Sequence, residues 1–156
     1  MVEIADILSP NDVVLDLRSC RSKRQVLKEL AEHAATAVNL GPQRLLEALM
    51  ERERLGTTGI GHGIAIPHAR LAELTRLVGL FARLDEPVDF EALDDQPSDL
   101  IFLLLAPDSA DAESLKALAR ISRLLRDPSV QQRLRQEKDR DAVYRMLTQK
   151  PESHAA

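Results

Sequence analysis

The residues best suited to do chemistry lie in one short segment that ends at His68. Four of the six glycines of the chain fall in the stretch from Gly56 to Gly63, and the apolar run 64–66 and Pro67 then lead to the histidine. A run this rich in glycine loses much backbone entropy on folding. It is therefore expected where the chain turns sharply, or where an anion approaches bare backbone N–H groups.

A histidine beside anion-binding amides is suited to accept a phosphoryl group. The neutral imidazole of His68 offers one nucleophilic nitrogen, and the amides can meet the charge that develops on the phosphoryl oxygens. Pro67 helps to fix the backbone before the ring, because its φ is locked. The other ring nitrogen needs a hydrogen-bond acceptor to set the tautomer, and the sequence does not name one. Spacing alone also fits a glycine-rich turn with no chemical role.

Other glycine-rich motifs do not fit this segment. No Gly-Lys-Ser/Thr follows, as a P-loop requires, and residues 59–63 have the wrong third interval for a dinucleotide-binding fingerprint. A zinc site that used His62 and His68 would need two further ligands. The other histidines are His33, in a predicted helix, and His154, near the end of the chain. We therefore expect neither a metal nor a cofactor.

Composition narrows the class of protein. The chain has 156 residues, 44% of them hydrophobic and 29% charged, which is typical of one soluble globular domain. The formal net charge of −4 gives no sign of the clustered basic face that nucleic acid needs. No apolar run approaches the roughly 18 residues of a membrane-spanning helix, so no insertion into a membrane is expected.

The N-terminus and the single cysteine both favour the cytoplasm. The first residues include acids and lack the basic start of a secretory signal. Cys20 has no partner for an internal disulfide, which fits a reducing compartment.

The elements that must position His68 alternate between strand and helix. Branched residues predict a strand at 13–17, and Ser22 is a plausible N-cap for a helix that Gly41 ends. Pro42 suits the first turn of a second helix, which runs to about Arg54. Two further strands are predicted at 77–84 and 101–105. A long helix capped near Asp111 is predicted to run through 125, followed by two shorter helices capped by Asp127 and Asp139.

This alternation predicts an α/β fold, a single layered domain with a mixed β-sheet and helices on both faces. The domain is expected to occupy residues 1–149. Residues 150–156 are predicted to form a polar, disordered C-terminal tail.

The exact sequence around His68 carries a family resemblance. Arg52-Glu53-Arg54-Leu55-Gly56-Thr57-Thr58-Gly59-Ile60-Gly61, followed by Gly63-Ile64-Ala65-Ile66-Pro67-His68, closely resembles the phosphorylation-site region of fructose/mannitol-type IIA domains. These domains belong to the bacterial phosphoenolpyruvate-dependent phosphotransferase system. Residues 81–90 and 94–104 are similar to two further strand regions of that family. The Gly-Thr-Thr-Gly-Ile-Gly stretch and the single-domain form most resemble its nitrogen-related branch.

The resemblance implies roles for the matched residues. His68 would take phosphate from a small HPr-like phosphocarrier protein, and Nε2 is the nitrogen that the likeness suggests. Arg52 would pair with the phosphate oxygens, although an arginine at a helix end can also be merely solvated. The chain would then be a phosphohistidine transfer protein rather than a free-standing turnover enzyme, with no cofactor.

Six further residues are candidates for the surroundings of the phosphate. Thr57 and Thr58 could donate hydroxyl hydrogen bonds to phosphate or merely cap the turn. His62 stands where the family more often has Asn, Gln or Glu, between Gly61 and Gly63, and receives no chemical role. Many family members carry a second histidine at the start of the long helix, in a His-Leu-x-x-Leu pattern. This chain has Ser114 there, so a site with two histidines is in doubt.

Three functions remain open from the sequence. In the first, phosphate on His68 switches the binding of regulatory target proteins. In the second, the protein relays phosphate to a IIB domain for transport of a fructose- or mannitol-type sugar. In the third, the loop binds an anion without covalent chemistry. No IIB or IIC sequence is attached and no sugar site is evident, which favours the first.

Overall fold

The sheet and its helices are seen in a computed structural model that describes residues 2–149. The predicted disordered tail, residues 150–156, lies outside the described residues. Two short 3₁₀ turns, Ile4–Asp6 and Pro10–Asp12, precede the first strand. The strands and helices of the described range are β1 Val13–Leu17, α1 Lys23–Val38, α2 Pro42–Arg54, β2 Gly59–Gly61, β3 Ile64–Ala65, β4 His68–Leu71, β5 Val78–Val88, β6 Ser98–Pro107, α3 Asp111–Leu125, α4 Pro128–Gln136 and α5 Arg140–Thr148.

The strands form one mixed sheet with β6 near its centre. On one side of β6, β5 pairs antiparallel to it and β1 pairs parallel to β5. On the other side, β6 is shared in succession by two short parallel strands, β3 and then β4. β2 pairs antiparallel to β3. His68 is the first residue of β4 and pairs with Leu104, which lies further along β6 than the residues that pair with β3.

Helices cover both faces of this sheet, as the sequence predicted. The core on one face contains α1 and α2, and the core on the other contains α3, α4 and α5 with the N-terminal turn. Along β6, Leu103 and Leu105 face the first core, whereas Phe102 and Leu104 face the second. From Leu100 to Pro107 the strand is apolar and buried, because neither face of this stretch meets water. No helix within residues 2–149 combines the length and the apolar character needed to cross a membrane.

Three predicted helix caps are confirmed by hydrogen bonds. Ser22, Asp127 and Asp139 each accept a backbone N–H from the first turn of the helix that follows. The predicted end of α1 is wrong by two residues. Asn39, with φ of 55°, adopts the left-handed conformation that stops the helix, and Gly41 instead precedes α2 as its N-cap.

The cap of α3 falls on the neighbour of Asp111 and has no side-chain hydrogen bond. Ala110 occupies the cap position, and Asp111 is the first helical residue. The Asp111 carboxylate pairs with the guanidinium of Arg70 on β4 instead. The Asp111 carboxylate therefore forms an exposed ion pair with Arg70 instead of accepting N–H groups at the start of the helix.

The glycine-rich segment forms a tight connection between β2 and β3. His62 and Gly63 turn the chain with φ of 58° and 80°. The Gly63 carbonyl accepts backbone N–H groups of Asp99 and Leu100 at 2.9 and 3.0 Å. A Cβ at Gly63 would run into the guanidinium of Arg135 and would lie 2.9 Å from an Asp99 oxygen. Glycine is therefore needed here for backbone conformation and for space.

We predict that Gly63→Ala destabilises the fold. Alanine at this position must adopt a positive φ, and its Cβ must displace Arg135. Together these two costs should lower the free energy of unfolding by roughly 1–3 kcal/mol. Urea unfolding of the variant measures this loss. Gly41→Ser is the matched control, because a Cβ there meets nothing within 4 Å and serine is a preferred N-cap. Equal stability of the two variants would contradict the role given to Gly63.

Candidate functional site

His68 faces a cleft of about 800 Å³ at the open edge of the sheet. Three elements build its walls: one side of α2 from Arg44 onward, the strand β4 and the first turns of α3. The residues that line it are Arg44, Ala48, Glu51, Arg52, Arg54, Leu55, His68, Ala69, Arg70, Asp111, Ser114, Leu115 and Leu118. The two helices lie on opposite faces of the sheet, so the cleft forms where both reach past its edge strand.

Two hydrogen bonds hold the ring of His68. Its Nδ1 lies 2.8 Å from the carbonyl oxygen of Ile66, and the Nε–H of Arg52 points at its Nε2 from 3.1 Å. One tautomer satisfies both contacts, with the proton on Nδ1 and a lone pair on Nε2. The Ile66 carbonyl is the acceptor that the sequence could not name. Nε2 is thereby the nitrogen available as a nucleophile.

Arg52 is held at two points in the same cleft. Besides the contact to His68, its Nη1 donates to the carbonyl oxygen of Gly56 at 2.9 Å. Gly56 follows the end of α2, so the guanidinium lies across the helix terminus and against the ring. This placement favours the phosphate-binding role over the solvated helix-end interpretation. Access to Nε2 requires only that the guanidinium shift from the ring nitrogen toward incoming phosphoryl oxygens.

Burial keeps the His68 ring neutral. Loss of solvent lowers the pKa of His68 below its ordinary value, and the positive charges of Arg52 and Arg70 lower it further. The hydrogen bond to Ile66 and the charge of Glu53 oppose this shift in part. A neutral imidazole has the free lone pair that attack on phosphorus needs.

Arg70 is a site residue that the sequence did not indicate. It lies two residues after His68 on β4, so both side chains project from the same side of the strand. Arg70 pairs with Asp111 across the cleft, but their side chains are 54% and 69% exposed. Such a pair stabilises the fold by only about 0–1 kcal/mol, so Arg70 can exchange Asp111 for a phosphoryl group at little cost. Arg70 was missed because the strand β4, which places it beside His68, was not predicted from the sequence.

Ser114 lies in the wall of the cleft, as its match to the second histidine of the family implies. It is buried in the first turn of α3, three residues after Asp111. Lys116, two residues further along α3, is exposed and does not line the cleft.

Thr57 and Thr58 do not line the cleft that His68 faces. The hydroxyl of Thr57 donates to the carbonyl oxygen of Phe90, and the hydroxyl of Thr58 donates to the buried carboxylate of Glu53. Both threonines therefore fasten the chain after α2, and the turn-capping alternative is the correct one.

Gly61, His62 and Gly63 are likewise displaced from His68. Ile64, next to them, pairs with Leu100, whereas His68 pairs with Leu104 further along β6. Four residues of strand correspond to about 13 Å at roughly 3.3 Å per residue. The expected anion nest beside His68 is therefore wrong, because these glycines serve a turn between two strands. The backbone N–H of His62 donates to Asp94 at 2.9 Å.

Two exposed apolar side chains stand among the largely charged residues that line the cleft. Leu55 and Leu115 lie on opposite walls, with 85% and 68% of each residue exposed. Ile64 and Ile66, by contrast, are buried in the core. Among residues 2–149, no group of three or more His, Cys, Asp or Glu side chains is arranged to hold a metal ion.

We predict that the pKa of His68 lies below that of an ordinary histidine and rises in Arg52→Ala. The substitution removes a positive charge that disfavours the imidazolium. An NMR pH titration of the His68 ring measures both values, with Arg54→Ala as a control from the same helix. Because the folded pKa is lowered, the unfolded chain binds the proton first as pH falls, so this group costs stability below about pH 6.5. An unchanged pKa in Arg52→Ala would contradict the contact seen here.

Comparisons with known proteins agree on one family. Residues 6–150 match the family model described as "Phosphoenolpyruvate-dependent sugar phosphotransferase system, EIIA 2". A protein of Bradyrhizobium diazoefficiens named "Nitrogen regulatory protein" is 48% identical over 152 residues, covering 97% of this chain and 99% of the relative. The protein of the same name from Escherichia coli K12 is 38% identical, covering 90% and 94%.

Solved structures give the same result. The crystal structure of nitrogen regulatory protein IIA-Ntr from Neisseria meningitidis superposes with a TM-score of 0.89 at 35% identity, covering 93% of this chain and 99% of that one. The crystal structure of IIA mannitol from Escherichia coli gives a TM-score of 0.75 at 22% identity, covering 89% and 97%, and so supports the fold alone.

Proposed function

The chain belongs to the EIIA 2 family of the phosphoenolpyruvate-dependent sugar phosphotransferase system, and we propose that it serves there as a nitrogen regulatory IIA protein, phosphorylated on His68. The observation that carries this proposal is the fixed ring of His68, whose Nδ1 is bonded to Ile66 and whose Nε2 faces the cleft. The regulatory branch is favoured by the nitrogen regulatory relatives, which match over nearly their whole length. The phosphoacceptor domain would be residues 1–149, working in the cytoplasm.

The donor is the phosphohistidine of a small HPr-like phosphocarrier. The Nε2 lone pair of His68 attacks phosphorus as the phosphorus–nitrogen bond of the carrier breaks, and that electron pair leaves on the carrier imidazole. The proton on Nδ1 stays in place, shared with the Ile66 carbonyl. Transfer between two imidazoles needs alignment and fixed charges more than new covalent chemistry.

Two arginines supply those charges. Arg52 leaves Nε2 and meets the phosphoryl oxygens, while its second bond to Gly56 keeps the guanidinium in the cleft. Arg70 reaches the same space by exchanging Asp111 for the phosphoryl group. A guanidinium fits phosphate oxygens in a bidentate manner, which a lysine ammonium does not. Ser114 supplies a hydroxyl where many relatives have a histidine.

We predict that His68→Ala folds normally and accepts no phosphate. The assay contains phosphoenolpyruvate, enzyme I, the phosphocarrier and the variant, and it follows a labelled phosphoryl group. His62→Ala is the matched control, because its ring lies at the β2–β3 turn, away from the cleft, and it should label like the wild type. Stoichiometric labelling of His68→Ala would show that His68 is not the phosphorylated residue. Loss of label in His62→Ala would instead assign the phosphoryl group to His62. No label on the wild type would favour an anion-binding module without covalent chemistry.

We predict that Arg52→Ala slows phosphorylation by about a hundredfold. Removing a charged donor from a preorganised site costs on the order of 2.7–4 kcal/mol in the transition state, against about 0–1 kcal/mol for an exposed arginine. Single-turnover transfer at saturating phosphocarrier measures the rate, and a titration measures carrier affinity. Arg54→Ala is the control, since Arg54 is exposed on the same helix and borders the same cleft.

Two outcomes would overturn this role for Arg52. A wild-type rate in Arg52→Ala would return the residue to a structural role at the helix end. An unchanged rate at saturation with weaker carrier binding would make it a docking residue instead.

A sugar-transport role is the second candidate, and one comparison favours it. The fructose-specific EIIABC component of Bacillus subtilis is 34% identical over 149 residues, which cover 95% of this chain but 23% of that protein. In this role, phosphorylated His68 would pass its phosphoryl group to a IIB domain. Incubating the purified phosphoprotein with fructose- and mannitol-type IIB domains separates the two. Rapid, stoichiometric onward transfer would favour transport over regulation.

A further inference from the structure

Glu53 is a buried carboxylate that the phosphoryl-transfer step does not itself use. It lies next to Arg52 in α2, with only 4% of its side chain exposed. Lys23 of α1 donates to it at 3.1 Å. Burial alone would lower the pKa of Lys23, but its bonds to Glu53 and Glu91 raise it overall, so the ammonium stays charged. An ion pair this far from water is costly, and its retention calls for an explanation beyond stability.

The carboxylate of Glu53 captures the chain that follows α2. One oxygen accepts the hydroxyl of Thr58, and the other accepts the Thr58 backbone N–H at 3.3 Å. Two bonds from one carboxylate to one residue fix both the position and the orientation of that peptide. The hydroxyl of Thr57 braces the same chain against Phe90 from the other side.

The peptide of Thr58 in turn holds Ile66. Its carbonyl oxygen accepts the backbone N–H of Ile66 at 3.0 Å, and the carbonyl of Ile66 accepts the Nδ1 proton of His68 at 2.8 Å. Two hydrogen bonds thus link Glu53 to Thr58, and one hydrogen bond makes each of the next two links. The buried carboxylate is therefore joined to the reacting imidazole through two backbone segments.

We infer that Glu53 is a positioning residue for phosphoryl acceptance, which it promotes by fixing the tautomer and orientation of the His68 ring through Thr58 and Ile66. The inference rests on the proposed function, since it assigns Glu53 to the same reaction. If the Ile66 carbonyl moves, the Nδ1–H tautomer loses its partner, and the proton can occupy Nε2 instead. In that tautomer the nitrogen that faces the cleft has no lone pair with which to attack.

The relay predicts a specific pattern among three variants. Thr58→Val removes the hydroxyl donor with little change in side-chain size, Thr58→Ser keeps it, and Glu53→Gln removes the charge. We expect Thr58→Val and Glu53→Gln to show a mixture of His68 tautomers by ¹⁵N NMR of the ring. Their single-turnover transfer should be slower by about tenfold or more, because small misplacements of reacting groups are costly. Thr58→Ser should keep the wild-type tautomer and nearly the wild-type rate.

Val143→Ala is the control for lost stability alone. Val143 is fully buried in α5, in the core on the other face of the sheet from α1 and α2. It should unfold more easily yet keep one tautomer and the wild-type rate. The inference is overturned if Thr58→Val keeps both wild-type properties, if Thr58→Ser is as impaired as Thr58→Val, or if Val143→Ala is impaired in the same way.

Two safeguards keep the test decisive. Should Glu53→Gln fail to fold, the Thr58→Val and Thr58→Ser pair decides the matter alone. The tautomer measurement needs no phosphocarrier, so it tests the relay even if the wild type takes no label. Absence of label on the wild type with a single Nδ1–H tautomer would thus refute the proposed function and leave the relay standing.

Discussion

The site depends on how one edge of β6 is divided between two strands. β3 and β4 both pair with β6, so the chain between them, Ile66 and Pro67, must step from one pairing to the next. Buried backbone groups need partners, and a step of this kind removes some of them from the ladder. The N–H of Ile66 bonds to Thr58 and its carbonyl is left for His68, while Pro67 has no N–H to satisfy. A break in the sheet thereby supplies the acceptor that sets the tautomer of the ring.

The environment of the His68 ring reconciles two demands that conflict in water. A good nucleophile needs an unprotonated Nε2, yet the product carries a phosphoryl anion that needs nearby positive charge. The burial of the ring and the charges of Arg52 and Arg70 lower the pKa of His68 and so meet the first demand. In the proposed function, the same two charges would meet the second demand once the phosphoryl group has arrived. The positive charge that keeps the acceptor neutral would then also stabilise the product.

Local signals predicted most of the framework. Ser22, Asp127 and Asp139 could be read as caps because a cap depends on a few adjacent residues. The family resemblance identified His68 and Arg52 from one contiguous string, and the family itself is confirmed by the match over residues 6–150. The sequence failed where a role depends on burial, or on pairing with an element distant along the chain.

Those failures share a physical cause. The role of Thr58 depends on the burial of Glu53, and that of Arg70 on an edge strand of four residues that only pairing with β6 creates. The cluster of glycines suggested an anion nest, but Gly63 is required by a turn and by the crowding of Arg135. A high density of glycine indicates an unusual backbone requirement, but it does not show whether that requirement is a turn, a close contact or a bound anion.

The cleft also determines what a partner can detect when His68 changes state. Leu55 and Leu115 are exposed on opposite walls, and neither takes part in holding the ring. Under the proposed function, phosphorylation would replace the contact of Arg52 with Nε2 by an ion pair and would draw Arg70 from Asp111. Exposed apolar side chains give a partner affinity in either state, whereas the charge in the cleft governs its discrimination. We therefore expect the two states to differ as binding surfaces through the charge presented in the cleft rather than through a change of fold.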